Sequence, residues 1–405
     1  MPVSQCHRFA RQGANRRHAV GCHTDRERSV APVKWEKEMK STTFACAAAA
    51  AFAFGLTAMP ASARDMTYGS YTSPTSTTMR TGIAPLLKRL EDQSNGEMKW
   101  ETFTGGAMGG AKELLGNAGS GILDASLVVD IYVKASLPHA SLISGMMVVG
   151  ENPLAMAGAM NEFQLLHCPG CLKDHEKNNV KAMGFTATGT YHLICKDEIH
   201  TAEQLRGKKV RAVASVGRAI QALGGTPVSI TLPEMYEAMQ RGQIDCATGS
   251  AAWLDTYNLQ DFSKSIVTDS LGSYFGSMNF VINKDVWDDL SEANQKIIKA
   301  NMARVSADVV FAYAPEGAEA IKNFEAKGGK AYTFDDEMQA RLAKARADEY
   351  AYTIAFGKKN GIENAEELVT TFEKLVDKWT GIVKEIGNDK EAYIQRLQTE
   401  VYDKI

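Results

Sequence analysis

The chain has 405 residues, 44% of them hydrophobic and 23% charged, with a formal net charge of −3. From residue 64 onward it is more acidic, with 36 basic against 44 acidic side chains and a net charge of −8. That balance excludes nucleic acid and anionic membrane surfaces as partners, and the length supports two lobes with proper cores or one large domain.

The first 38 residues are rich in Arg and His and carry no apolar periodicity, so residues 1–38 read as an upstream extension outside the fold. Residues 39–63 change character. Met39-Lys40 and two threonines lead into FACAAAAAFAFGLTAM, then Pro60 and Ala61-Ser62-Ala63. A basic start, a short apolar run and an A-x-A site describe a secretory signal peptide cleaved after Ala63. A membrane anchor fits less well, because the Ala-rich run falls short of the usual ~20 strongly apolar residues. The exported chain is then residues 64–405, and no later apolar run approaches a membrane span.

Asp65–Tyr71 alternates as a strand, Thr72–Ser76 is a polar turn, and TMRTGIAPLLKRLEDQ has helical periodicity. Met98–Phe103 is a second strand, followed by the glycine loop 105–110 and the helix AKELLGNAG. The glycine spacing is neither G-x-G-x-x-G nor a P-loop, so tight strand-to-helix packing explains it better than nucleotide binding. Ile122–Val129 is an apolar strand, helices are expected over 154–166 and 172–178, and Lys181–Cys195 is β-rich with a break at Gly189.

The segment from Leu205 to Leu254 is the most informative. It reads as a short basic strand carrying Arg211, a helix, a Gly-Gly-Thr-Pro turn, a second strand, a helix ending at Gly242, and a last strand. A loop of small residues closed by Trp253 completes it. A permanent cation and a large aromatic thus share the strand ends where ligands bind in open α/β sheets. Strands at 264–271 and 280–283 follow, and from Ser291 the chain is mainly helical, with glycine breaks at 328–329, 357–361 and 387–388. Alternating strands and helices with a helical tail indicate an α/β protein.

Four cysteines remain after residue 63: Cys168, Cys171, Cys195 and Cys246. In an exported chain an even number points to disulfides, and four allow three pairings. Cys168 and Cys171 can close locally; Cys195 and Cys246 each end a strand and can bridge one sheet. Zinc held by His167, Cys168, Cys171 and His175 competes, but the cluster lacks the distant second ligand pair of most structural sites. A redox C-x-x-C is the third reading, although Cys168 follows a helix rather than a strand.

The segment LRGKKVR with the downstream LPEMYEAMQRGQIDC resembles the substrate-binding proteins of tripartite ATP-independent periplasmic (TRAP) transporters. GEMKWETFTGGAMGGAKELL upstream and NFVINKDVWDDLSEANQKII downstream fit the same pattern, so the resemblance covers most of 65–397. It implies a two-lobed periplasmic binding protein with a long hinge-spanning helix and a helical C-terminal tail. Lobe 1 would be about 64–188 plus part of the C-terminal helices, and lobe 2 about 189–290. Such a protein closes over a small organic acid and hands it to a membrane permease for ion-coupled uptake.

By the same resemblance Arg211 forms a two-pronged salt bridge with the ligand carboxylate, which the planar guanidinium fork suits. The chain also departs from that pattern. The Asn that contacts ligand in many members is missing from Cys246–Trp253, and Tyr191 stands where sialic-acid binders carry a second Arg. One cation with aromatic walls suggests a monocarboxylate with an apolar or cationic body. The expected ligand residues are Arg211, Trp253, Tyr191, Tyr71 and Thr72, followed by Tyr132, Ser215 and Phe275. No cofactor, no metal and no nucleic-acid partner are expected. A sensor module that reports to a signalling partner would need the same closing receptor. An exported enzyme is disfavoured, because none of His139, His167, His175, His192 and His200 falls in a catalytic motif.

Overall fold

The computed structural model describes residues 64–405; the extension and leader expected at 1–38 and 39–63 lie outside the described residues. The strands are β1 (Arg64–Gly69), β2 (Met98–Phe103), β3 (Ala125–Val129), β4 (Val180–Thr186), β5 (Tyr191–Cys195), β6 (Lys209–Arg211), β7 (Thr226–Val228), β8 (Cys246–Ser250), β9 (Ser265–Val267), β10 (Ser277–Asn283) and β11 (Lys330–Tyr332). They form a five-stranded sheet ordered β2-β1-β3-β10-β4 and a six-stranded sheet ordered β11-β9-β5-β8-β6-β7. Helices cover both sheets, which gives two α/β lobes.

Two short connections carry the chain between the lobes. One joins β4 to β5 and the other joins β9 to β10. β10 pairs antiparallel with both β3 and β4, so it is a central strand of the first sheet. This moves the expected lobe boundary: residues 277–290 belong to lobe 1, not lobe 2, while β11 pairs parallel with β9 and adds an edge to lobe 2. Strand propensity locates a strand without saying which sheet accepts it. The break anticipated at Gly189 lies between β4 and β5, where an added Cβ would sit 2.7 Å from the Ser250 hydroxyl and 3.0 Å from Tyr313.

The helix Glu292–Ala326 starts at the Ser291 N-cap, whose side chain accepts from Asn294 N. It runs 35 residues past lobe 1 to β11, burying Val305, Ser306, Val309 and Tyr313 on the way. The helix Asp336–Lys359 then returns along the helix Ala214–Leu223, held by a half-buried ion pair of Arg218 with Glu349. The Arg218 guanidinium also lies 3.9 Å over the Tyr352 ring.

The helix Ala365–Ile386 is amphipathic and docks onto lobe 1 through the fully buried Trp379. Its indole donates to Glu162 Oε2 (2.8 Å), and Lys378 neutralises the same carboxylate (2.8 Å). Gly158 lies flat beneath the indole, since a Cβ there would come within 2.2 Å of the ring. Both disulfides are formed. Cys195 and Cys246 face each other in the β5–β8 register, and Cys168–Cys171 closes the start of the helix Pro169–Lys177.

Candidate ligand-binding site

β6 is short because it must end where its neighbours do. Arg211 is its last residue, and the helix Ala214–Leu223 begins three residues later, after Ala214 has turned through a left-handed backbone conformation (φ 50°). β6 lies between β7 and β8, so the guanidinium reaches one carbonyl just past β7 and one within β8. Nε donates to Ile230 O (3.2 Å), Nη1 to Thr248 O (3.2 Å) and Nη2 to the Tyr132 hydroxyl (3.1 Å). Arg211 is 0% exposed and forms no ion pair among the described residues. Three of the five N–H groups of a guanidinium are used in these bonds, and the Tyr191 hydroxyl is a further hydrogen-bond partner of the same group.

In front of this cation lies a narrow cavity of ≈ 40 Å³ walled by residues of both lobes. Lobe 1 supplies Tyr71, Thr72 and Tyr132; lobe 2 supplies Tyr191, Leu232, Trp253 and Tyr257. Tyr274, from the β9–β10 crossing, and Tyr313, from the long helix, complete the aromatic lining. The rings brace one another edge to face: Tyr191 on Trp253 (centroids 5.2 Å), Trp253 on Tyr257 (5.8 Å) and Tyr71 on Tyr132 (6.1 Å). Gly249 lets Trp253 lie against β8, because a Cβ there would meet the indole at 2.1 Å.

Burial raises the tyrosine pKa at positions 71, 191, 257, 274 and 313, so these hydroxyls stay neutral. At Tyr191 the Arg211 charge opposes that rise without cancelling it. Polar contacts on the lobe 1 side come from Ser70, Thr72 and Ser76, whose hydroxyls form a chain (2.9 and 3.2 Å). The glycine loop is part of this scaffold. Gly105 and Gly106, both at positive φ, donate to Thr72 O and Ser70 O, which holds the end of β1 open toward the cavity.

The structure thus brings together Tyr71, Thr72, Tyr132, Tyr191 and Trp253 as lining residues, with Arg211 directly behind Tyr132. Ser215 and Phe275, also expected at the ligand, do not line this cavity. The Ser215 hydroxyl accepts from Val148 N (2.9 Å) and its own N–H donates to Gly145 O (3.1 Å), so it clamps lobe 2 onto lobe 1. Phe275 is fully buried and stacks on Phe372 (5.4 Å, 15°) in the lobe 1 core.

Tyr257, Tyr274 and Tyr313 had no local signal. They come from a short helix end, a crossing segment and a long helix, and only the fold assembles them. No histidine lines the cavity, and among the described residues no cluster of three or more His, Cys, Asp or Glu could hold a metal. Buried cation, neutral hydroxyls and aromatic faces can hold an anion with a flat body.

Residues 69–355 match the family described as bacterial extracellular solute-binding protein, family 7. Among solved structures, a TRAP solute-binding protein of Rhodoferax ferrireducens T118 with copurified benzoate aligns with a TM-score of 0.70 and 18% identity, over 79% of this chain and 99% of that one. A marine metagenome TRAP protein specific for aromatic acids, in complex with metahydroxyphenylacetate, aligns at 0.69 with 21% identity, over 78% and 98%. A monocarboxylate 2-oxoacid-binding periplasmic protein of Nostoc sp. is 21% identical over 318 residues, 75% of this chain and 80% of its own length. The chain spans about half the length of another curated relative, an uncharacterized Salmonella typhimurium protein (25% identical over 170 residues, 50% of that protein).

Proposed function

Because the chain belongs to the bacterial extracellular solute-binding proteins of family 7, we propose that it is a periplasmic TRAP receptor for a small, flat monocarboxylate, which it delivers to a membrane permease. One observation carries the ligand class: Arg211 is buried without an acidic partner among the described residues, beside a cavity walled by six tyrosines and Trp253. A buried cation without a counter-charge is costly, and a bound carboxylate supplies both the charge and strong acceptors in place of neutral hydroxyls. A single such cation favours a monocarboxylate. The aromatic walls favour a planar body such as benzoate or a 2-oxoacid, which two of the similar proteins bind, over the uronates held by others.

Binding energy in this arrangement depends on closure. Tyr71 and Tyr132 sit on one lobe, and Arg211, Tyr191 and Trp253 on the other, so only the closed form dries the ion pair and brings the full wall together. A ligand that contacts both lobes shifts the open–closed equilibrium by its differential affinity for the closed state. A thermal-shift screen of organic acids tests the reading: planar monocarboxylates should raise the melting temperature of the wild type and leave Arg211→Ala unmoved. Stabilisation by sugars or amines alone, or an equal shift in Arg211→Ala, would refute it.

A further inference from the structure

Tyr132 occupies a position that its sequence neighbourhood does not announce. It ends a single helical turn, Asp130–Tyr132, that follows β3 of lobe 1. Its hydroxyl nonetheless reaches lobe 2 and accepts two hydrogen bonds there, from Arg211 Nη2 (3.1 Å) and from Leu232 N (3.1 Å). With both lone pairs engaged, that oxygen has only its own proton left to offer, and the proton has no acceptor among the described residues. The ring lines the enclosed aromatic cavity on one side and a wider recess of ≈ 540 Å³ on the other. The recess is also walled by Lys112, Lys134 and Ile230, the last of which receives Arg211 Nε.

We propose that Tyr132 is the interlobe latch of this receptor and a third donor to the ligand carboxylate, coupling anion capture by Arg211 to closure. The inference rests on the carboxylate reading above. A phenol that accepts from a guanidinium is polarised toward donating, and a carboxylate oxygen on the neighbouring Arg211 nitrogens is the acceptor best matched to it. When the lobes part, Leu232 N and Arg211 Nη2 both lose the hydroxyl and meet water, so the latch forms only in the closed state. A neutral ligand gains little from it, because it leaves the buried guanidinium uncompensated. Tyr132 also divides the cavity from the lysine-lined recess, so a bound ligand leaves when this contact breaks.

The test is Tyr132→Phe, which keeps the ring and its edge-to-face contact with Tyr71 and removes only the oxygen. Benzoate and pyruvate serve as probes, with association and dissociation followed by stopped-flow tryptophan fluorescence on wild type, Tyr132→Phe and Arg211→Ala; circular dichroism confirms the fold of each. Loss of a hydrogen bond to a charged group predicts roughly 10- to 100-fold weaker binding in Tyr132→Phe. Most of that loss should appear in the dissociation rate, with association nearly unchanged. Folded Tyr132→Phe with wild-type affinity and dissociation rate, alongside an Arg211→Ala that no longer binds, overturns the latch and spares the receptor reading. Arg211→Ala that still binds, or wild type that binds neither probe, overturns the receptor reading and the latch with it.

Discussion

Replacing Arg211 by Lys keeps the positive charge and asks what the guanidinium geometry contributes. Arg211 satisfies Ile230 O, Thr248 O and the Tyr132 hydroxyl with three of its five N–H groups, and the other two face only the neutral Tyr191 hydroxyl and the ligand side. An ammonium has three donors in all. If Lys served the same three acceptors it would have none left for a ligand, and if it turned to the ligand it would strand buried carbonyls. In either case about two charge-assisted hydrogen bonds are lost, each worth about 1.5–3 kcal/mol. The sum, about 3–6 kcal/mol, corresponds to roughly 10²- to 10⁴-fold weaker binding. The charge and the protein acceptors can still be matched, so the melting temperature of the ligand-free variant should move little. Isothermal titration with benzoate, paired with thermal melts, measures both. A Lys variant that binds benzoate within about fivefold of wild type would show that charge alone holds the ligand and refute the geometric argument.

Gly249→Ala should weaken ligand binding through Trp253, because the new methyl carbon would meet the indole at 2.1 Å and displace it from the cavity wall; near-ultraviolet circular dichroism and titration report the two effects. Asp130 is fully buried, and burial pushes its carboxyl up to about 7, against the hydrogen bonds from Ser144 and Tyr274. Between about pH 4 and 7 the folded state therefore holds a proton that the unfolded chain releases, so stability falls as pH rises through that window and levels off above it, by at most about 4 kcal/mol. Urea melts across pH should show this slope in wild type and a flatter line in Asp130→Asn. Removing Cys195 and Cys246 together opens a bridge of sequence separation 51 and should lower stability by about 4 kcal/mol in the chain-entropy picture. Removing Cys168 and Cys171, separated by 3, should cost clearly less, as chemical denaturation of the two double variants would show.

Some of this architecture is determined by residues close together in sequence, and that part was legible. Arg211 stands at the end of a three-residue strand before a helix, Trp253 closes the loop after β8, and Tyr191 opens β5. In each case local strand and turn chemistry places the side chain at a sheet edge. The Cys195–Cys246 bridge was legible only as a cross-strand pairing: Cys195 ends β5, but Cys246 opens β8 rather than ending the strand before it, and the antiparallel register sets the two side by side. Arg211 stood out through the resemblance of the LRGKKVR segment; by itself a basic strand edge is equally compatible with a surface Arg, and its burial is a property of the fold.

What only the tertiary structure decided is which strand ends face one another and which side of each end faces the cavity. β10 belongs to lobe 1 because β3 and β4 both accept it, a choice among hydrogen-bond edges that alternation cannot express. Ser215 and Phe275 lie at ends that look equivalent in sequence, yet one clamps the lobes and the other stacks in a core. Tyr257, Tyr274 and Tyr313 enter the cavity from three separate elements, and Tyr132 crosses from one lobe to hold the cation of the other. Periodicity reports which face of an element is buried. It does not report against what, because burial in a core and burial against a ligand remove the same apolar surface from water.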